Sequence, residues 1–211
     1  MDVNTIQNQE DYFHLPLSKA ELSPSPFAQF STWFSQAKTK GELEPTAMTL
    51  ATVDKNYIVS ARMVLLKSFD ENGFTFFTNY LSLKAKQLEQ VPHASVVFWW
   101  PKCQRQVRIS GAVALASDKE SDTYFKQRTK ESQIAAIVSK QSAVIANRQA
   151  LIEKYEQMMK QDGELKRPDF WGGYVLKPNQ FEFWQGREHR LHDRFLYSLN
   201  QDTWEIVQLS P

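Results

Sequence analysis

The fold class is decided by the stretch Phe69-Asp70-Glu71-Asn72-Gly73-Phe74-Thr75-Phe76-Phe77, where an Asn-Gly pair stands between β-forming residues. Asn-Gly in this setting is a strong signal for a β-hairpin, because both residues tolerate the positive φ angles of a tight turn. The stretch therefore predicts two antiparallel strands joined at Asn72-Gly73.

Segments with a period of two lie on both sides of this hairpin. Alternation indicates strands, because successive side chains point to opposite faces of a sheet. The predicted strands are 48–53, 58–67, 94–100, 104–114, 171–176, 181–184, 190–197 and 204–209. Short strands with hairpin-like spacing favour an antiparallel barrel or sandwich.

Helical segments interrupt the predicted sheet. A serine cap and a proline, Ser25-Pro26, begin a helix with an aromatic stripe that ends at Gly41. The other predicted helices are 82–90, 117–128, 132–139 and 143–161, the second of which opens with a capping box. Residues 1–22 are polar and are expected to form a mobile arm before a single domain, residues 23–211.

Composition limits the classes of function. The 211 residues are 42% hydrophobic, which predicts a globular protein with a sizeable core. A net charge of +1 gives no reason to expect nucleic acid or an acidic membrane as a partner. The single Cys103 excludes an intramolecular disulfide and fits a reducing cytoplasm. No apolar run approaches a membrane span, and the N-terminus does not resemble a signal peptide.

Two neighbouring segments carry cations in apolar surroundings. The strand Arg62–Lys67 has a cation at each end, and in a regular strand their odd spacing places them on opposite faces, where they could contact two anions. Strand ends that reach solvent would show the same pattern. Further along, Phe77-Thr78-Asn79 leads into a helix start at Ser82-Leu83-Lys84, where free N–H groups, a hydroxyl and a lysine predict a phosphate site. A simple serine cap at Ser82 is the alternative.

Two more patterns suit polar ligands. Tyr124, Arg128 and Ser132 follow one another at intervals of four and could form a monophosphate cradle. Gln104, Gln106 and Arg108 would share one strand face and could contact the edge of a heterocycle, although a polar outer face is at least as good an explanation.

The segment 182–195 gathers arginines, histidines and a tryptophan between aromatic residues. If 190–197 is a strand, Arg190, His192 and Arg194 share a face that suits an anionic, planar ligand. The alternative is a salt-bridge cluster with Glu188 and Asp193. No metal site is predicted, because arginines flank the two histidines and no cysteine or third histidine is near.

Together these segments resemble the pyridoxine (pyridoxamine) 5′-phosphate oxidase family. The likeness covers roughly residues 25–211. The matching blocks are 62–67, 77–79 with Ser82 and Lys84-Ala85, 105–107, 139–142, 170–173, 183–186 and 188–195. The last block is long and unusual, so the resemblance is specific.

The resemblance implies a mainly β fold with peripheral helices, an FMN-binding split β-barrel that works as a homodimer. The implied reaction oxidises pyridoxamine 5′-phosphate or pyridoxine 5′-phosphate to pyridoxal 5′-phosphate, with O2 as acceptor and H2O2 released. Our hypothesis is hydride transfer from the substrate to the flavin. The alternatives are a flavin- or pyridoxal-phosphate-binding protein with little turnover, and a flavin reductase with another substrate.

The resemblance also assigns residues. The FMN site would comprise Arg62, Met63, Val64, Leu65, Leu66, Lys67, Phe77, Thr78, Lys84, Gln106, Gln141, Ser142, Trp184 and Arg194. The substrate site would comprise Lys67, Tyr124, Arg128, Ser132, Arg190, Leu191 and His192, of which Arg190 and His192 are the implied catalytic residues that orient the ring.

Three departures from the family pattern stand out. Leu83 occupies a position that is often arginine, so one phosphate contact is expected to be missing and FMN affinity to be weaker. Arg187 follows Gly186 where relatives often have a second glycine; the chain would be strained there if it needed positive φ. Otherwise the Arg187 side chain adds a cation near the site. The basic arm of relatives is reduced here to Gln9-Glu10-Asp11-Tyr12, so only Tyr12 remains a candidate arm contact.

Overall fold

A computed structural model describes residues 16–211 of the chain. The predicted arm, residues 1–22, lies largely outside this range, as does Tyr12. Its last residues make specific contacts: the Leu17 N–H donates to the Asp193 carboxylate at 3.0 Å, and the Leu22 side chain is buried. Between them lies a short 3-10 turn, Lys19–Glu21.

The chain forms five α-helices and nine β-strands within residues 16–211. The helices are α1 Pro26–Thr39, α2 Leu83–Gln90, α3 Asp118–Gln127, α4 Lys130–Val138 and α5 Arg148–Met159. The strands are β1 Ala47–Val53, β2 Val59–Leu65, β3 Ser68–Asp70, β4 Gly73–Asn79, β5 His93–Trp100, β6 Arg105–Leu115, β7 Trp171–Gln185, β8 Asp193–Asn200 and β9 Thr203–Leu209. Every predicted helix and strand has a counterpart here.

The strands follow the order β2-β1-β5-β6-β7-β4-β3, and β8 pairs with both β7 and β9. Strand β7 is long enough to pair with β4 through its first half and with β8 through its second half, antiparallel in both cases. The prediction of a mainly β chain with antiparallel hairpins is confirmed.

The hairpin that decided the fold class forms between β3 and β4, with Asp70 opposite Gly73. The two turn residues are therefore Glu71 and Asn72, one position earlier than predicted. Gly73 has a φ of 140°, and a Cβ atom there would lie 2.3 Å from the carbonyl oxygen of Leu176. The glycine is thus required by the close approach of β7.

Three other predictions about the strands were wrong. Segments 171–176 and 181–184 belong to one strand, because the backbone continues through Pro178. Gln104 precedes β6 with a φ of 49°, so it does not share a strand face with Gln106 and Arg108. Strand β8 begins only at Asp193, after a 3-10 turn at Glu188–Arg190.

The described chain divides into two compact units. The first contains the residues up to Thr49, Ser95–Ser110 and Pro178–Pro211, and the second contains Leu50–Ala94 and Gly111–Lys177. In the first, Trp33 of α1 meets Phe183 of β7 edge to face at 5.2 Å, and Phe183 meets Tyr197 of β8 at 5.3 Å. Each such fully buried aromatic side chain contributes about 1.5–3 kcal/mol by leaving water.

The second unit has its own core, in which Phe74 and Phe76 of β4 are fully buried with Phe125 of α3 and Ile134 of α4. Ser117 forms the predicted capping box with Glu120 and so begins α3. No helix within residues 16–211 is long and apolar enough to cross a membrane.

Candidate active site

Lys84 is a buried cation in the first turn of α2. Its side chain is enclosed, with the residue 8% exposed, and its ammonium donates to Thr78, Ser82 and Gln141 at 3.1, 3.3 and 3.0 Å. Burial, and secondly the charge of Arg62, lower the pKa of Lys84 to about 8. All three partners are neutral oxygens, so an ammonium in this environment is stabilised by a nearby anion.

Arg62 lies beside this lysine, on strand β2. Its guanidinium donates to the Leu50 carbonyl at 3.2 Å, to the Thr52 hydroxyl at 2.6 Å and to Gln87 at 3.4 Å. These partners are also neutral, and burial lowers the pKa of Arg62. Two adjacent cations held only by neutral groups form a site for an anion such as phosphate.

The start of α2 is tied to the loop that follows α4. The Ser82 hydroxyl caps the helix by accepting from Ala85, and the Leu83 N–H donates to the Ser142 hydroxyl at 3.2 Å. The backbone N–H predicted to be free at this helix start is therefore paired at residue 83. An anion bound here would then contact mainly the Arg62 and Lys84 side chains.

A second cluster of polar groups surrounds Arg128. Tyr124 lies within α3, Arg128 caps its C-terminus, and Ser132 lies in the first turn of α4, so the three do not share one helix. Arg128 donates to the Ser132 carbonyl at 2.8 Å and lies over the Trp171 ring at 4.8 Å. Within residues 16–211 its Nε–H is buried without a hydrogen-bond partner.

Lys67 completes this second cluster. It follows β2 rather than belonging to it, and its ammonium lies 5.9 Å from the centre of the Tyr124 ring. The Tyr124 ring stacks on Phe77 at 4.1 Å, which fixes its position. An exposed ammonium and a partly buried guanidinium with an orphaned donor provide a second site for an anion.

Both clusters line one cavity of about 970 Å³. The prediction that Arg62 and Lys67 serve opposite sides of a strand was wrong: β2 ends at Leu65, and both side chains line this cavity. Among the described residues that line it, Arg62, Lys67, Lys84 and Arg128 are cations and none is a carboxylate. The volume is at the upper end of the range for ligand sites in proteins.

Most of the predicted residues of the second unit line this cavity. They are Arg62, Met63, Val64, Leu65, Lys67, Phe77, Lys84, Tyr124, Arg128, Ser132, Gln141 and Ser142. Leu66 and Thr78 do not: the Leu66 side chain is buried, and the Thr78 hydroxyl accepts from Lys84. The other predicted residues, Gln106, Trp184, Arg190, Leu191, His192 and Arg194, belong to the first unit.

In the first unit, Arg194 is held by Glu182. The Glu182 carboxylate is buried and accepts from Arg194 at 2.9–3.0 Å through one oxygen and from Arg108 at 3.0 Å through the other. Arg194 also donates to the Ser210 carbonyl at 2.9 Å. One negative charge is thus shared between two guanidinium groups, and Arg194 has at most two N–H groups left for a ligand.

Trp184 and His192 lie together, with their ring centres 4.5 Å apart. Burial lowers the pKa of His192, and the nearby Arg190 adds to this effect while Asp193 opposes it. Because Arg190 and His192 precede β8, the predicted alternation with Arg194 on one strand face does not exist. Arg190 instead belongs to a turn in which it has a φ of 62°.

Arg187 does not strain the chain, since its φ is −138°, in the extended region. The positive φ angles fall two and three residues later, at His189 and Arg190. The Arg187 side chain pairs with Asp193 at 3.5 Å. Asp193 was predicted as a member of a salt-bridge cluster, and it does form a salt bridge, with Arg187.

Sequence reasoning missed three residues that orient these cations: Thr52, Gln87 and Glu182. Each is a buried polar residue. Thr52 continues the buried face of β1 after Met48 and Leu50, and Gln87 follows Lys84 by one helical turn. In the sequence, these residues could have been found as polar residues on an otherwise apolar strand or helix face. No group of three or more His, Cys, Asp or Glu residues within 16–211 could hold a metal ion.

The fold and the site define a class: a mainly β protein with a cavity that is lined by two clusters of cations. Comparison with known proteins then identifies the family. A profile described as pyridoxamine 5′-phosphate oxidase matches residues 36–161, and one described as the pyridoxine 5′-phosphate oxidase C-terminal dimerisation region matches residues 171–211.

Relatives with this name are similar over their full length. The pyridoxine/pyridoxamine 5′-phosphate oxidases of Trichormus variabilis and Rippkaea orientalis are each 49% identical to the chain over 214 residues, covering 100% of both proteins. The structure of PhzG from Burkholderia lata 383, in complex with tetrahydrophenazine-1-carboxylic acid, matches with a TM-score of 0.91 and 27% identity over 95% of this chain and 100% of that one.

This chain belongs to the pyridoxamine 5′-phosphate oxidase family, and it is accordingly an oxidoreductase with the split-barrel fold of that family. A pyridoxamine 5′-phosphate oxidase-related, FMN binding protein from Nostoc punctiforme has the same fold, with a TM-score of 0.73 and 19% identity over 90% of this chain and 99% of that one. The predicted family and fold class are thereby confirmed.

Proposed function

We propose that this protein binds FMN and oxidises pyridoxamine 5′-phosphate or pyridoxine 5′-phosphate to pyridoxal 5′-phosphate, with O2 as acceptor and H2O2 as product. With pyridoxamine 5′-phosphate, one water is also consumed and the amine nitrogen leaves as ammonia. The observation that carries the proposal is the single cavity with two separate cationic clusters and no carboxylate among its described lining residues. A phosphorylated cofactor and a phosphorylated substrate require two such clusters.

The cofactor phosphate is assigned to Arg62 and Lys84. The buried Lys84 ammonium has no anionic partner among the described residues, and the phosphate dianion of FMN would provide one. The residues present therefore fit FMN. The rest of the proposed FMN site comprises residues 63–66, Phe77, Thr78, Gln106, Gln141, Ser142, Trp184 and Arg194. When bound, FMN supplies the two-electron acceptor, while the protein supplies position and electrostatics.

The substrate phosphate is assigned to Lys67, Tyr124, Arg128 and Ser132. The Arg128 guanidinium is positioned by the ring of Trp171 and by the hydrogen bond that its Nη2 donates to the Ser132 carbonyl. Its buried Nε–H has no partner within residues 16–211, and a phosphate oxygen would provide one. Arg190, Leu191 and His192 are assigned to the substrate ring, where Arg190 and His192 orient the carbon that is oxidised.

A homodimer is part of the proposal. The match to a C-terminal dimerisation region supports it. Strand β2 supports it as well: it lies at one end of the strand order, and its outward face presents Val59, Met63 and Leu65 with exposed fractions of 67%, 61% and 38%. A second copy would cover this apolar face. We place the protein in the cytoplasm, where its unpaired Cys103 is compatible with a reducing environment.

Another oxidation substrate, one with a carboxylate, is the second candidate, favoured by the likeness to PhzG, whose structure is a complex with tetrahydrophenazine-1-carboxylic acid. Its carboxylate would then occupy the cluster around Lys67 and Arg128 in place of the substrate phosphate. Dependence of turnover on the substrate phosphate therefore distinguishes the two candidates.

The proposal is tested by reconstituting apoprotein with FMN and adding pyridoxamine 5′-phosphate without oxygen. The flavin colour should bleach, and it should return with formation of H2O2 when oxygen is admitted. Pyridoxamine without its phosphate should bleach it far more slowly. An FMN-loaded protein that pyridoxamine phosphate and pyridoxine phosphate leave yellow would refute the proposed reaction, and failure to take up FMN would refute the cofactor.

Two variants test the assignment of the phosphate site. Arg128→Met should raise KM for pyridoxamine phosphate while FMN binding is retained. Lys126→Met, which removes an exposed cation of the same helix, is the matched control and should leave KM unchanged, since Lys126 pairs with Glu164 away from the cavity lining. An equal effect of both variants would contradict the assignment.

A further inference from the structure

The loop from Gly186 to His192 contains a hydrogen bond between main chain and imidazole. The Arg187 N–H donates to His192 Nδ1 at 3.0 Å. A backbone N–H is only ever a donor, so Nδ1 must present its lone pair. A neutral imidazole with an unprotonated Nδ1 carries its single proton on Nε2.

Both ends of this bond are held in place. On one side, the Gly186 N–H donates to the Gln104 carbonyl at 2.8 Å, which fixes the chain directly before Arg187. On the other side, Asp193, which directly follows His192, pairs in register with Gln185 at the start of β8. The N–H is therefore aimed at the imidazole by the strands on which the loop is built.

The turn between these ends adopts a conformation that residues other than glycine rarely show. His189 and Arg190 follow one another with φ angles of 55° and 62°, and the Leu191 N–H closes the turn on the Glu188 carbonyl at 3.1 Å. Consecutive left-handed residues of this kind are strained, and such strain is concentrated at functional sites. Here it reverses the chain so that His192 returns to Arg187.

The surroundings of His192 favour the neutral ring. Burial lowers its pKa, the positive charge of Arg190 lowers it further, and Asp193 acts in the opposite direction. The Arg187 side chain is another cation of this loop. The uncharged ring of Trp184, on β7, has its centre 4.5 Å from the centre of the His192 ring. A proton on Nδ1 would point one N–H at another, so the hydrogen bond itself opposes the imidazolium.

We infer that the main-chain N–H of Arg187 holds His192 as the neutral Nε2–H tautomer, which makes this side chain a hydrogen-bond donor in the reaction and not a base. The inference rests on the proposed function for its role, which is to donate to an oxygen or nitrogen of the substrate ring. Arg187 is a positioning residue that acts through its backbone. Its side chain is not required for this, so a glycine at 187 could do the same.

The test is nitrogen-15 NMR of the histidine side chains in the apoprotein at neutral pH. The chain has four histidines, and the His192→Gln variant identifies the His192 signals by their loss. We expect the His192 Nε2 to carry the proton and Nδ1 to have the downfield shift of an unprotonated ring nitrogen. Exposed His93 provides the reference in the same spectrum. A proton on Nδ1, or an averaged mixture of tautomers, would overturn the inference.

Two variants separate the backbone from the side chain of Arg187. Arg187→Gly keeps the N–H and should keep the Nε2–H tautomer. Arg187→Pro removes it and should produce a mixture, with kcat lower by about tenfold, as expected for one lost hydrogen bond. Retention of a pure Nε2–H tautomer in Arg187→Pro would refute the role of the N–H. If this variant does not fold, the spectrum of the unmodified protein still shows which ring nitrogen of His192 carries the proton.

Failure of the inference and failure of the proposed function have different signatures. The tautomer is measured without ligand, so an inactive protein with the expected spectrum would refute only the proposed reaction. An active protein whose His192 carries its proton on Nδ1 would refute only the inference.

Discussion

Lys84 should make the binding of FMN depend on pH above about 8. In the ligand-free protein, burial and the neighbouring Arg62 lower the pKa of Lys84 from 10.5 to about 8. A bound phosphate dianion stabilises the ammonium and raises the pKa again. If it restores the ordinary value, the difference corresponds to about 3 kcal/mol, or a factor of roughly 300 in affinity.

The sign of the effect follows from where the proton is held. Below pH of about 8, Lys84 is protonated with and without FMN, so its titration does not affect the affinity. As pH rises from about 8 towards 10.5, the ligand-free lysine loses its proton and binding must take one up, so the affinity falls by up to about tenfold per pH unit. The phosphate itself stays a dianion in this range, because its second pKa is about 6.

The same shift predicts the stability of the apoprotein. The pKa of Lys84 is lower in the folded than in the unfolded state, so the unfolded chain binds more protons between pH of about 8 and 10.5. The free energy of unfolding should therefore increase with pH across this window, and this contribution is lost as pH falls through about 8. FMN affinity and apoprotein stability thus change in opposite directions.

The measurement is a titration of apoprotein with FMN, followed by quenching of flavin fluorescence, from pH of about 7 to about 9.5. Lys84→Arg is the matched control, since its guanidinium stays charged throughout and its affinity should not fall above pH 8. Lys84→Met should bind weakly with no pH dependence. A constant affinity in the unmodified protein, or an equal fall in Lys84→Arg, would show that the buried lysine does not couple to the phosphate.

Three further changes have expected outcomes. Leu83→Arg should strengthen FMN binding by about tenfold, because Leu83 lines the cavity and a charge-assisted contact is worth about 1.5–3 kcal/mol; an unchanged Kd in the same fluorescence titration would contradict this. Glu182→Gln should lower the free energy of unfolding by about 3 kcal/mol, because it breaks a buried ion pair; the exposed Glu164→Gln serves as its control in denaturant unfolding, and equal effects would count against the reasoning. Phe181→Ala should cost about 3–5 kcal/mol, because this ring is fully buried. Leu43→Ala, at a position 99% exposed, should change stability by less than about 0.5 kcal/mol, and thermal unfolding that does not distinguish the two would refute the assignment of Phe181 to the core.

The local elements could be predicted because their signals are local. Ser25 and Ser117 cap their helices as predicted, since a cap depends only on the next three residues. The β3–β4 hairpin formed for the same reason. The prediction failed where distant contacts decide: Gly73 faces Leu176 across the sheet, and β7 continues through Pro178 because it has a partner on each half.

The candidate site divides in the same way. The types and spacing of residues 62–67, 77–84 and 124–132 were sufficient to predict two clusters of cations. They could not place Arg62 and Lys67 on one cavity, because that depends on where β2 ends and on how α3 and α4 pack. Nor could they identify Glu182, whose importance comes from its burial between Arg108 and Arg194.

The sequence by itself determined the mainly β fold, the family resemblance and the identity of the cations. Only the tertiary structure decided their chemical state. Lys84 owes its low pKa to burial and to Arg62, and one of its hydrogen-bond partners is 57 residues away. His192 likewise owes its tautomer to a backbone N–H that a reversed chain brings to it. Charge and protonation depend on distances through space and on exclusion of water, which the order of residues along the chain does not specify.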